Sequence, residues 1–136
     1  MNLTAMKDLM ERLRQCGIQP TPQRLTVAEF VLGTNSHPTA DEVFSQVLPS
    51  CPTLSRATVY NTLNLMVERG ILKAQRIQDE LVRFDAMTQA HHHFVDESTG
   101  QIYDIPWDVL QLQGHEELKD FEVTEYQVVL RGRLKP

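Results

Sequence analysis

A chain of 136 residues, 41% hydrophobic and 23% charged, has the balance of a folded soluble protein, with room for one domain or two small ones. No run of about 18 apolar residues is present to span a membrane, and the charged stretch from Met1 to Leu13 lacks the apolar centre of a signal peptide, so a cytoplasmic location is expected. Two cysteines, Cys16 and Cys51, neither in a C-x-x-C, are too few for a disulfide framework or a four-thiolate zinc site.

The net charge of −5 conceals an asymmetry. Residues 1–78 hold eight Lys/Arg against six Asp/Glu, and residues 79–136 hold five against twelve. Only the first part suits a position beside phosphates, so the two parts are expected to face different partners.

From Leu3 to Gln15, apolar residues at 3, 6, 9, 10 and 13 have helical spacing, and Gly17 follows as a stop. Thr21 reads as an N-cap and Pro22 as the first position of a second helix, which runs to about Leu32 with Leu25, Ala28, Val31 and Leu32 inward. A polar loop from Gly33 to Pro38 contains His37. Thr39-Ala40-Asp41-Glu42 is a capping box ahead of a third apolar stripe at Val43, Phe44, Val47 and Leu48. Ser55 caps a fourth helix ending at Gly70, with Val59, Leu63, Met66 and Val67 inward and Arg56, Tyr60, Asn61 and Asn64 outward. Ile71–Arg76 and Leu81–Phe84, joined through Gln78-Asp79-Glu80, form a short hairpin. Helices followed by such a hairpin make a winged helix-turn-helix. Beyond it, His91–Val95 and Gln101–Ile105 read as strands, Pro106 to Leu112 as helix-like, and Val123 to Leu134 as a further alternating strand. The expected fold is α+β: a winged-helix DNA-binding domain over residues 1–84, then a small α/β dimerisation and metal-binding domain over 85–136. The second part is too short to bury a good core alone and is expected to dimerise.

Nitrogen and oxygen donors crowd into the twenty positions from Asp85 to Asp104, around the triplet His91-His92-His93. A strand puts His91 and His93 on one face and His92 on the other. Asp104 joins that face when it stands opposite His93, a register reached by pairing Asp96 with Gln101 around a four-residue loop.

The motifs T-P-Q-R at 21–24, H-P-T-A-D-E-V-F at 37–44, S-R-A-T-V-Y-N-T-L at 55–63, R-F-D at 83–85, H-H-H at 91–93 and G-Q-I-Y-D at 100–104 together resemble the ferric uptake regulator family, and most closely its peroxide-responsive PerR branch. The resemblance covers nearly the whole chain in the family's order. It implies a homodimeric, metal-dependent repressor bound to a palindromic, AT-rich operator, not an enzyme. The implied regulatory ligands are His37, Asp85, His91, His93 and Asp104, a set suited to Fe²⁺ or Mn²⁺. His37 and His91 are the implied sites of peroxide oxidation to 2-oxo-histidine. On the fourth helix Arg56, Thr58, Tyr60 and Asn61 are candidate DNA contacts, with Arg24, Lys73, Arg14 and Arg76 as phosphate contacts.

The chain departs from the family pattern where two C-x-x-C pairs often hold a structural zinc. Asp96 and Thr99 stand at the first pair, and the chain ends at Lys135-Pro136 where the second is expected, so no structural zinc is expected. Tyr126 stands where a secondary metal site of some relatives has a histidine. The alternatives are an iron- or manganese-availability regulator without peroxide sensing, a non-haem metal enzyme using the same donors, and a DNA-binding scaffold with a vestigial metal site.

Overall fold

The computed structural model describes residues 2–136. The chain divides into two compact units, Met1–Thr88 and Gln89–Pro136. The boundary lies four residues beyond the expected 84/85, because Asp85 is held in the hairpin of the first unit opposite Lys73.

The first unit is a winged helix-turn-helix. Helices α1 (Leu3–Gln15), α2 (Pro22–Gly33), α3 (Ala40–Val47) and α4 (Arg56–Glu68) precede strands β1 (Lys73–Gln75) and β2 (Arg83–Asp85). Short polar side chains set the helix starts. Asn2 caps α1, Thr21 accepts from the Arg24 N–H, Thr39 from Glu42 and Ser55 from Thr58. Gly17 and Gly70 follow α1 and α4 at φ 78° and 79°, conformations that cost other residues strain. Leu13, Val27, Val31, Val43, Val59, Leu63 and Met66 form one core at 1% exposure or less. Two positions of the α1 stripe miss it: Leu3 and Met6 are 67% and 40% exposed, since the core reaches only the C-terminal half of that helix.

The second unit is a three-stranded sheet in the order β4-β3-β5, from β3 (His91–Asp96), β4 (Ile102–Pro106) and β5 (Val129–Gly132). β3 pairs antiparallel with β4 and parallel with β5. A parallel pairing needs a long return, supplied by residues 107–128. That return is less regular than expected. The stretch from Pro106 to Leu112 forms only a 3₁₀ turn at Trp107–Val109, and a second such turn covers His115–Glu117. Only Val129–Gly132 of the expected strand from Val123 to Leu134 finds a partner in the sheet. Alternating side chains alone do not make a strand where no neighbouring edge is available.

Candidate metal centre

Each unit carries a set of imidazole and carboxylate donors whose histidines are buried. In the first unit the set depends on a zipper between the loop before α3 and strand β2. The Phe84 N–H donates to the Pro38 carbonyl at 2.9 Å, and Thr39 bridges Arg83. The Arg83 guanidinium donates to the His37 carbonyl (3.3 Å), Glu42 (3.5 Å) and Asp79 (3.1 Å), so one side chain ties this loop to α3 and to the hairpin turn. The sequence reading gave Arg83 no role; the signal was an arginine beside a ligand candidate, in a strand whose neighbours are buried.

His37 takes φ 54°, the one left-handed non-glycine residue among the described residues. Strain of this kind persists only where the surroundings over-determine it. The result puts His37 Nε2 3.3 Å from Asp85 Oδ2, with both residues buried. The other carboxylate oxygen, Asp85 Oδ1, accepts the Met87 N–H at 2.9 Å, which fixes the group's rotation.

In the second unit the β3–β4 ladder pairs His93 with Asp104, and the Asp96 N–H donates to the Gln101 carbonyl, as the hairpin register required. His91 and His93 share a face, their rings 4.7 Å apart and edge to face. Asp104 Oδ1 lies 3.4 Å from His91 Nε2 and 3.6 Å from His93 Nε2. His92 turns the other way, accepting the Val128 N–H on Nδ1 at 2.9 Å and stacking on Trp107 at 4.6 Å.

The donor chemistry fits a divalent ion. His91 Nδ1 is 2.7 Å from the Gln89 carbonyl oxygen, which only accepts, so Nδ1 carries the proton. Nε2 then aims its lone pair toward an acidic oxygen, an arrangement that calls for a proton or a cation between them. The 3.3–3.6 Å separations in both sets exceed an ordinary N–H···O bond. Those of 3.3 and 3.4 Å fall within, and that of 3.6 Å just beyond, the roughly 3.0–3.5 Å between two donors that each stand about 2.1 Å from one ion. A backbone carbonyl holding the far ring nitrogen is the usual way a protein orients a metal-binding imidazole.

The candidate DNA-reading residues lie on and around α4. Arg56, Tyr60, Asn61 and Asn64 are exposed on it, while the Thr58 hydroxyl lies 2.9 Å from Ser55 Oγ within the N-cap. Arg24 donates to the Gln19 carbonyl and Arg76 to the Glu80 carbonyl, both at 3.1 Å; Arg14 reaches Glu11 at 3.9 Å, and Lys73 opens β1.

Residues 15–131 match the model of the ferric uptake regulator family. The chain belongs to that family. It is 34% identical over 134 residues to the peroxide-responsive repressor PerR of Staphylococcus epidermidis, covering 96% of this chain and 88% of the relative. Among solved structures it is similar to PerR from Streptococcus pyogenes, at 30% identity and a TM-score of 0.54, covering 96% of this chain and 90% of that one. It also resembles the ferric uptake regulator of Vibrio cholerae, at 25% identity and a TM-score of 0.71, covering 92% and 98%. Cys16 and Cys51 are free thiols packed against the helical core of the first unit.

Proposed function

We propose that this protein is a homodimeric, metal-dependent transcriptional repressor that releases DNA when hydrogen peroxide oxidises a ligand histidine. The observation that carries the reading is the pair of donor sets, buried His37 with Asp85 and buried His91 and His93 with the half-buried Asp104, in a chain that also exposes a capped helix of polar and aromatic side chains. Two and three donors are each too few for Fe²⁺ or Mn²⁺, and five together suit either ion. His37 stands in the reading unit and His91, His93 and Asp104 in the other. Were both sets to take up the same ion, His37 and Asp85 would be tied to His91, His93 and Asp104, and the tied form would be the one that binds the operator.

Ferrous iron, where these residues hold it, would supply the redox chemistry that cleaves the O–O bond of hydrogen peroxide. Overall, the imidazole of His37 or of His91 would lose two electrons and gain one oxygen atom as 2-oxo-histidine, while the other oxygen of the peroxide leaves as water. An oxidised ring is a poorer donor, the five-ligand set fails, and the units are released. The change is stoichiometric, so the protein is a sensor rather than an enzyme.

On the DNA side, Tyr60 packs on a thymine methyl, Asn61 pairs with adenine and Arg56 reaches base edges, with Arg24 and Lys73 near phosphates. Modest basicity makes binding depend on two copies acting on a palindromic, AT-rich duplex. The exposed apolar side chains Phe121, Leu118, Leu130 and Leu134 of the second unit support self-association without a structural zinc. Among the described residues no helix is long and apolar enough to cross a membrane.

A mobility-shift assay tests the reading, on a palindromic AT-rich duplex with and without Mn²⁺, followed by peroxide on the Fe²⁺ form. Retardation that needs metal, lost with one added oxygen on the peptide of His37 or His91, is expected. Metal-dependent binding without oxidation leaves a regulator of iron or manganese availability, and metal-independent binding sinks the switch.

A further inference from the structure

Two of the exposed side chains on α4 are not free to reach in any direction. The Tyr60 hydroxyl donates to Asp41 Oδ1 at 3.0 Å, and the Arg56 guanidinium donates to the same oxygen. Arg56 is also laid over the Phe44 ring, its Cζ 4.8 Å from the centroid. Asp41 and Phe44 both belong to α3, so the third helix grips two residues of the fourth from the solvent side. The grip is accessible: the side chains of Arg56 and Asp41 are 61% and 63% exposed. The bond to Asp41 also pushes the Tyr60 hydroxyl above its ordinary pKa, the hydrogen bond being the largest cause.

We propose that Asp41 is a specificity-determining positioning residue of the DNA-reading surface, holding Arg56 and Tyr60 for base edges and withholding Arg56 from backbone phosphates. The inference rests on the reading of α4 as the DNA-reading helix. An unrestrained exposed arginine neutralises whichever phosphate is nearest, and such contacts add affinity without sequence information. A carboxylate fixed against the guanidinium opposes this twice. It occupies part of the donor fork, and its own charge repels an approaching phosphate. Tyr60 is restrained by the same oxygen, so its ring is presented in one orientation rather than several.

The test compares Mn²⁺-loaded parent, Asp41→Ala and Asp41→Asn on a duplex selected by the parent from a randomised pool and on a scrambled duplex of the same composition. Asp41→Ala is expected to tighten scrambled binding and lower the selected-to-scrambled ratio about tenfold, within the range one base contact provides. The slope of log affinity against log salt on the scrambled duplex should steepen by about 0.9 for each freed arginine. Asp41→Asn, which keeps an acceptor oxygen, should fall between. In an Arg56→Ala background the effect of Asp41→Ala should shrink to the smaller part carried by Tyr60 and by the aspartate's own charge. An unchanged ratio and slope in folded Asp41→Ala overturns the inference, as does an equal effect in the Arg56→Ala background. A parent protein that selects no sequence at all overturns the DNA-reading assignment and the inference with it.

Discussion

His93 and Asp104 stand directly opposite each other across the β3–β4 ladder, with Nε2 3.6 Å from Oδ1. His93 is fully buried, whereas Asp104 is partly open to solvent. The carboxylate therefore supplies negative charge beside two imidazoles at the edge of the buried region. Asp104→Asn preserves shape and removes that charge, so Mn²⁺ affinity should fall by at least about tenfold. Equilibrium dialysis reads this directly, and unchanged uptake would remove Asp104 from the donor set.

Metal binding to the folded chain alone must also stabilise it. At a free Mn²⁺ concentration 100 times the Kd, the parent should gain about 2.7 kcal/mol. His93→Ala and His37→Ala should each lose most of that gain in urea denaturation. A gain lost with His93 but kept without His37 would show that the second unit binds the ion alone.

Arg83 serves three acceptors on three segments, and its side chain is only 13% exposed. Arg83→Met keeps the apolar stem and removes every donor. Because Glu42 and Asp79 remain largely hydrated, the cost should be about 1–3 kcal/mol. The His37 loop loses its anchor, so Mn²⁺ affinity should fall as well. Chemical denaturation with metal titration checks both; a stability loss with unchanged metal affinity would limit Arg83 to holding the wing.

Ser55 accepts the Thr58 N–H at the start of α4, where four backbone donors otherwise lack partners. Ser55→Ala should cost about 1 kcal/mol, and Ser55→Asp should cost little because it also caps and favours the helix N-terminus. Thermal melting of the two variants distinguishes loss of the cap from any general intolerance at this position.

The Asp96 carboxylate is held below the usual aspartate range, first by the Ser98 hydroxyl and then by the Ser98 N–H. Its folded pKa lies below the unfolded value, so its stabilising effect is complete above about pH 3.9 and fades as pH falls through the folded value. Asp79 titrates with the same sign, chiefly through Arg83. Asp96→Asn should therefore melt closer to the parent in strong acid than at neutral pH. A constant difference across that range would rule out the linkage.

The helix ends were legible because they are local. A hydroxyl or amide at the cap and a proline or glycine at the margin act within one turn, so α1 spans the expected Leu3–Gln15. That His91 and His93 share a face was equally legible from strand periodicity, whereas the register that sets Asp104 opposite His93 was one of several the sequence allowed and the β3–β4 ladder decided it. The irregular return between β4 and β5 was not legible, because the alternation from Val123 becomes a strand only where β3 offers an edge, from Val129 to Gly132.

What the sequence determined by itself was the donor types, their alternation along β3 and the helix boundaries, all properties of spacing along one chain. The tertiary structure decided that His37 meets Asp85, through a strained loop zipped onto β2 by Phe84 and clamped by Arg83. It also decided that Asp41 restrains Arg56 and Tyr60. Those contacts join residues 15 to 48 positions apart, and only packing of the helices on one another and on the hairpin fixes such distances.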